Sequence, residues 1–102
     1  MKILLVCNAG MSTSMLVSRM EKAAKEKGIE ATILATPLTQ AESQIDEWDV
    51  VMLGPQVRHC LNQLKKHSTK TPIEIIDMRD YGLMNGEKVL EKAIQIMNEN
   101  QK

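Results

Sequence analysis

Apolar residues lie along the chain in short continuous blocks, separated by longer stretches in which they recur every three or four positions. Continuous blocks span Ile3 to Val6, Val50 to Leu53 and Ile73 to Ile76, and a shorter alternating block lies around Ala31 to Ala35. Continuous blocks of this length are typical of strands buried on both faces, and alternation is the other common pattern of a strand. The pattern therefore predicts four strands.

The stretches between the strands have helical spacing. An apolar stripe that ends before Gly28 predicts a first helix from about Thr13 to Lys27. After Pro37 a weaker pattern predicts a short second helix through Ala41 and Ile45. Two further stripes predict a third and a fourth helix: Val57, Cys60, Leu61 and Leu64, and then, from Asn85 or Gly86 onward, Val89, Leu90, Ala93, Ile94 and Met97.

Strands and helices thus alternate as βαβαβαβα in a chain of 102 residues. This order predicts a single α/β domain over residues 1–102, with a four-stranded parallel sheet, helices on both faces and strand order 2-1-3-4. Strand 1 then borders the crevice at the carboxyl ends of the strands, where such folds bind ligands. Cys7 follows strand 1 directly and is expected there.

Composition narrows the function classes. Thirteen basic residues balance thirteen acidic ones without a long run of either sign, which argues against a nucleic-acid partner or a membrane surface. Aromatic residues make up 2% of the chain, which disfavours flavin and base-stacking sites, and we expect no cofactor. His59, Cys60 and His67 lack the spacing of a metal site, so no metal is expected. Two cysteines and a short N-terminal apolar block indicate a cytoplasmic protein with reduced thiols.

The segment after strand 1 carries the candidate chemistry. Cys7 is followed by small and hydroxyl residues that lead into the first helix: Asn8, Ala9, Gly10, Met11, Ser12, Thr13 and Ser14. The N–H groups of a helix N-terminus, with these hydroxyls, suit a tetrahedral oxyanion and favour a thiolate at Cys7. We therefore predict a nucleophilic cysteine beside a phosphate-sized site. In the alternative, Cys7 is a small core residue and the Ser/Thr run an ordinary helix cap.

Three residues after the later strands are candidate accessory groups. Gln56 follows strand 3 and is expected across the crevice from Cys7, either lining the site or in an ordinary turn. Asp80 and Tyr81 are expected in a loop after strand 4, where a neutral carboxylic acid at Asp80 would assist transfer. The alternative is a solvated carboxylate and a tyrosine that packs the corner. Cys60 shares an apolar stripe and is expected to be an inert buried thiol.

Three segments, "KILLVCNAGMSTSMLV", "DVVMLGPQV" and "IDMRDYGLMNGEKVLEKA", closely resemble the IIB component of the bacterial sugar phosphotransferase system (PTS), lactose/cellobiose/chitobiose class. The resemblance implies that Cys7 takes a phosphoryl group from a phosphohistidine of a IIA protein. It then passes the group to a sugar, of the cellobiose or chitobiose type, on a membrane IIC component. Asn8 to Ser14 would be the phosphate-binding loop. The chain ends near its last helix, so we expect a separate monomeric polypeptide.

Low-molecular-weight tyrosine phosphatases have a similar predicted architecture and place a cysteine after strand 1, in the pattern Cys, five residues, Arg, then Ser or Thr. Thr13 stands here in place of that arginine, and Arg19 lies too far along the helix to substitute. Without a bidentate donor, the loop is predicted to hold phosphocysteine without efficiently hydrolysing it. The alternatives are a phosphatase or a thiol oxidoreductase using Cys7, although an oxidoreductase requires a nearby resolving cysteine.

Overall fold

The four strands form one parallel sheet in the order β2-β1-β3-β4. The computed structural model describes residues 1–7 and 11–100, except for the side chains of 11–13. The strands are β1 (Lys2–Cys7), β2 (Thr32–Pro37), β3 (Val50–Leu53) and β4 (Ile73–Ile75). The predicted strands and their order are therefore confirmed. The predicted burial of the fourth strand on both faces was wrong, because β4 lies at the edge of the sheet and its Glu74 and Ile75 are exposed.

Helices connect the strands and cover both faces of the sheet. They are α1 (Met11–Glu26), α2 (Leu38–Ala41), α3 (Leu61–Lys65), α4 (Met78–Gly82) and α5 (Gly86–Asn100), with 3-10 segments at Ile45–Glu47 and Pro55–Cys60. Among the helices of the described residues, none is long and apolar enough to cross a bilayer.

Strand β1 lies in the middle of the core because its side chains alternate between two apolar clusters. Ile3 and Leu5 pack into the cluster that includes buried residues of α1 and α5. Leu4 and Val6 pack into a second cluster with residues of α2 and α3. The chain's two aromatic residues are divided between them, with Tyr81 in the first cluster and Trp48 in the second. A strand buried on both faces explains the continuous apolar block at the start of the chain.

Two helical predictions differ from the structure. The second helix is shorter than predicted, since α2 ends at Ala41 and Ile45 begins a separate 3-10 segment. The third begins as a 3-10 segment after Gly54, because Pro55 starts it and Val57 has non-helical dihedral angles (φ −115°, ψ 20°).

The predicted loop after strand 4 is instead the short helix α4, so the loop placement of Asp80 and Tyr81 was wrong. Asp77 caps this helix: its Oδ1 accepts hydrogen bonds from the Arg79 and Asp80 N–H groups at 2.9 and 3.2 Å. An aspartate at this position satisfies N–H groups that otherwise have no partner inside the helix. Asp77 is therefore the residue from which the start of α4 could have been predicted.

The carboxylate of Asp46, in the 3-10 segment before β3, forms hydrogen bonds with the loop before β4. Asp46 accepts hydrogen bonds from the Thr69 hydroxyl at 2.8 Å, the Thr69 N–H at 3.0 Å and the Lys70 N–H at 3.2 Å. The Thr69 side-chain bond, followed by its backbone bond, lowers the pKa of Asp46 from 3.8 to about 2. These bonds favour the ionised form, so the carboxylate stabilises the folded chain.

Asp46→Asn is expected to be less stable than the parent chain at neutral pH, with a stability difference that shrinks in acid. A carboxyl group with a lowered folded-state pKa stabilises fully above its ordinary value of 3.8, and this contribution is lost as pH falls towards about 2. Urea unfolding across this pH range measures the difference. Glu47→Gln, at an exposed carboxylate of the same 3-10 segment, is the control. A difference that is independent of pH would contradict the assigned role.

Candidate active site at the carboxyl edge of the sheet

Cys7 is the last residue of β1, where the central strand reaches the carboxyl edge of the sheet. It pairs with Pro37 of β2, and its neighbour Val6 pairs with Leu53 of β3. The residue is 2% exposed, and its Sγ donates to the Thr36 carbonyl oxygen at 3.9 Å. Cys7 therefore lies at the predicted edge of the sheet, and its buried thiol is directed towards the neighbouring strand β2.

Helix α1 begins at Met11, four positions after Cys7 along the chain. Its N-terminus is thus at the same edge of the sheet as the thiol, and the first N–H groups of a helix lack intrahelical partners. Among the predicted loop residues, Met11, Ser12 and Thr13 form the first turn of α1, and Ser14 is exposed. Asn8, Ala9 and Gly10 lie outside the described residues. The described part of this segment therefore places the positive end of the α1 dipole at the same edge of the sheet as Cys7.

Gln56 and Tyr81 form one unit, although they are far apart in the sequence. The Gln56 Nε2 donates to the Tyr81 Oη at 2.8 Å. Tyr81 is buried, at 8% exposure, whereas Gln56 is exposed. The sequence singled out both residues separately but gave no signal of the pairing, because it depends on how α4 turns after β4.

Asp80 is held in α4 by its backbone. Its N–H donates to Asp77 Oδ1, and its carbonyl oxygen accepts from the Asn85 N–H at 2.9 Å. Arg19 lies on the flank of α1, as predicted, and its Nη1 donates to the Met84 carbonyl oxygen at 3.5 Å. The nearest arginine along α1 is thus bound to the segment before α5.

Cys60 is buried among the apolar residues of the second cluster, as predicted, and the inertness of its thiol stays a prediction. Cys7 and Cys60 are both free thiols. Across residues 1–7 and 11–100, His, Cys, Asp and Glu side chains form no group of three or more that could hold a metal ion. The described groups at this edge of the sheet include the Cys7 thiol and the N-terminus of α1.

Comparison with known proteins identifies the family. The model of the PTS system lactose/cellobiose-specific IIB subunit matches residues 2–92. The chain belongs to this family. The resemblance stated from the sequence is thereby confirmed, and this IIB protein is a sugar phosphotransfer carrier and a phosphotransferase.

Curated relatives match nearly their full length. The oligo-beta-mannoside-specific EIIB component of Bacillus subtilis is 39% identical over 98 residues, which cover 94% of this IIB chain and 95% of the relative. The galactose-specific EIIB component of Lactococcus lactis subsp. cremoris is 41% identical over 103 aligned positions, with the same coverage of both chains.

A solved structure has the same fold and substantial identity. The cellobiose-specific IIB protein of Borrelia burgdorferi is 53% identical, with a TM-score of 0.82 over 98% of this IIB chain and 94% of that one. The lactose-specific IIB domain of Streptococcus pneumoniae is 16% identical, with a TM-score of 0.81 over 94% of this chain and 96% of that one. The second likeness shows the fold alone. Both agree with a phosphatase-like four-stranded parallel architecture.

Proposed function

We propose that Cys7 is the residue that carries the phosphoryl group between a IIA protein and a sugar bound by a membrane IIC component. The observation that carries the proposal is the position of its thiol, at the carboxyl end of the central strand and four positions before the start of α1. A helix N-terminus there stabilises the anionic phosphoryl group that the sulfur receives. Membership of the IIB family supports the same assignment.

The transfer consists of two displacements at phosphorus. In the first, the Cys7 thiolate attacks the phosphohistidine of IIA: the S–P bond forms, the N–P bond breaks, and its electron pair returns to the imidazole. In the second, a sugar hydroxyl attacks, the S–P bond breaks, and the thiolate leaves while the hydroxyl proton passes to solvent. Each step needs the donor and acceptor atoms in line, and the end of β1 fixes the position of the sulfur.

The phosphate-binding loop is proposed to comprise Asn8, Ala9, Gly10, Met11, Ser12, Thr13 and Ser14, with Gln56, Asp80 and Tyr81 as accessory groups. No arginine occurs within the loop, where the related phosphatase pattern has one. Arg19 is bound to Met84 instead. Neutral donors hold the phosphoryl group but supply less charge to the transition state of hydrolysis, so the intermediate persists long enough to be passed on.

The sugar is proposed to be a β-linked disaccharide of the cellobiose or chitobiose type. Relatives named for cellobiose and oligo-beta-mannoside support a β-linked sugar, whereas another relative is named for the monosaccharide galactose. We propose further that the protein is a cytoplasmic monomer consisting of one domain over residues 1–102. Its balanced charge and the absence of a bilayer-spanning helix among the described residues are consistent with this location.

Intact-mass spectrometry after mixing with phosphoenolpyruvate, the general PTS proteins and a cellobiose-class IIA tests the proposal. We expect the mass of one added phosphoryl group, assigned by fragmentation to the peptide that contains Cys7. We also expect it to persist for minutes once the donor is removed. The same sample should turn over little of a generic aryl phosphate. Rapid turnover of that substrate through Cys7 would favour the phosphatase alternative, and addition at another residue would contradict the assignment.

A further inference from the structure

Two side chains bridge the carboxyl edge of the sheet from the turn after β3 to helix α4. Gln56 belongs to the 3-10 segment after β3, and its Nε2 donates to Tyr81 Oη of α4 at 2.8 Å. The tyrosine ring is packed in the cluster that includes Leu5 and Leu16. The buried Tyr81 thus holds the side-chain amide of Gln56 in place, although Gln56 itself is exposed.

The Gln56 amide also lies over Gly54, whose backbone is bonded to the end of β1. A Cβ atom added to Gly54 would be 2.6 Å from Gln56 Oε1 and 3.5 Å from the carbonyl oxygen of Val6. The Gly54 N–H itself donates to this Val6 oxygen at 2.9 Å. The glutamine side chain therefore lies over Gly54, on the side where this glycine faces the Val6 carbonyl oxygen, and Val6 immediately precedes Cys7. Glycine at position 54 makes room for it.

The side-chain amide of Gln56 has a second N–H group that can donate a hydrogen bond. Nε2 carries two hydrogens, and the bond to Tyr81 uses one of them. The planar amide directs the second hydrogen away from the phenol. A phosphoryl group on sulfur is anionic and rich in acceptor oxygens, and hydrogen bonds to charged groups are the stronger ones.

We propose that the second Nε2 hydrogen of Gln56 donates to a phosphoryl oxygen on Cys7, and that Tyr81 is the positioning residue that holds the amide. This inference rests on the proposed function of Cys7 as the carrier. The bond exists only in the phosphorylated state, so it shifts the equilibrium between phosphorylated IIA and this IIB protein towards phosphocysteine. A neutral amide does so without the positively charged, bidentate arginine side chain that promotes hydrolysis.

The phosphorylation equilibrium with IIA, measured by ³¹P NMR or intact mass, is the test. Gln56→Leu is expected to reduce the equilibrium constant for phosphocysteine about tenfold, the effect of losing one hydrogen bond to a charged group. Gln56→Glu, similar in shape but anionic, should reduce it further. Tyr81→Phe keeps the ring and should give a smaller loss. Gln63→Leu, which removes an exposed amide that donates to Glu42, is the control and should change nothing.

A spectroscopic measurement separates direct contact from a structural role. In the parent chain, the ¹⁵N and ¹H resonances of the Gln56 side-chain amide should shift on phosphorylation, and in Tyr81→Phe the shift should be reduced. An unshifted amide, or an equilibrium as in the parent chain for both Gln56 variants, would overturn the inference while leaving Cys7 as carrier. A parent chain that takes no phosphoryl group from phosphorylated IIA would overturn the proposed function and this inference with it.

Discussion

Cys7→Ser is expected to lower sugar phosphorylation by at least about a thousandfold, because the relay loses its proposed nucleophile. A serine hydroxyl is protonated at neutral pH, and no base that would activate it is identified among the described residues at the end of β1. The variant should neither gain mass from phosphorylated IIA nor pass a group to a sugar. The measurement is the rate of sugar-phosphate formation with saturating IIA, in membranes that contain the IIC component.

Cys60→Ser makes the same chemical change at the other free thiol and serves as its matched control. Cys60 is packed in the second apolar cluster, so a buried hydroxyl there costs about 1 to 3 kcal/mol of stability without touching the phosphoryl group. Phosphoryl transfer by the folded fraction should be unchanged. Equal loss of transfer in the two variants would mean that Cys7→Ser acts through folding, and transfer retained by Cys7→Ser would refute the carrier assignment.

Gly86→Ala is expected to destabilise the fold by about 1 to 3 kcal/mol or more, the range typical of overpacking. A Cβ atom at this first residue of α5 would lie 2.5 Å from the Arg19 carbonyl carbon and 2.6 Å from the Met20 nitrogen. Both atoms belong to the backbone of α1, which cannot rotate away as a flexible side chain can. The two helices must therefore separate, and the midpoint of urea unfolding should fall.

Gly82→Ala tests whether this loss arises from the contact itself. Gly82 ends α4, and a Cβ atom there meets nothing within 4 Å. Alanine in a helix is favoured over glycine by about 1 kcal/mol or less, so this variant should be as stable as the parent chain or slightly more so. If Gly86→Ala unfolds at the same urea concentration as Gly82→Ala, the close approach of α1 and α5 is not a constraint on the fold.

The central strands of the sheet could be predicted from the sequence because β1 and β3 contain buried apolar blocks, at Ile3 to Val6 and Val50 to Leu53. Burial on both faces gives a continuous apolar pattern, and alternation with helices leaves few topologies. The position of Cys7 followed directly, since a residue at the end of a central strand belongs to the carboxyl edge. Local pattern and tertiary structure agree there.

Helix α4 and the Gln56–Tyr81 contact could not be predicted from the pattern of apolar residues. Residues 78–82 make one short turn of helix, too short for an apolar period, and only the capping Asp77 marks it. The contact joins residues 25 positions apart, so it depends on the angle at which α4 leaves β4. Such pairings arise from tertiary packing, which a single sequence does not encode as a local pattern.

The two aromatic residues lie in different apolar clusters, so their fluorescence reports separately on the two sides of the sheet. Trp48 emission reflects the side of the sheet covered by α2 and α3, and Tyr81 reflects the side covered by α1 and α5. With no phenylalanine and no further tryptophan or tyrosine in the chain, neither signal is mixed with another residue of its kind. Because β1 belongs to both clusters, loss of one side exposes the strand that supports the other. The two emissions are therefore tied to a single cooperative transition.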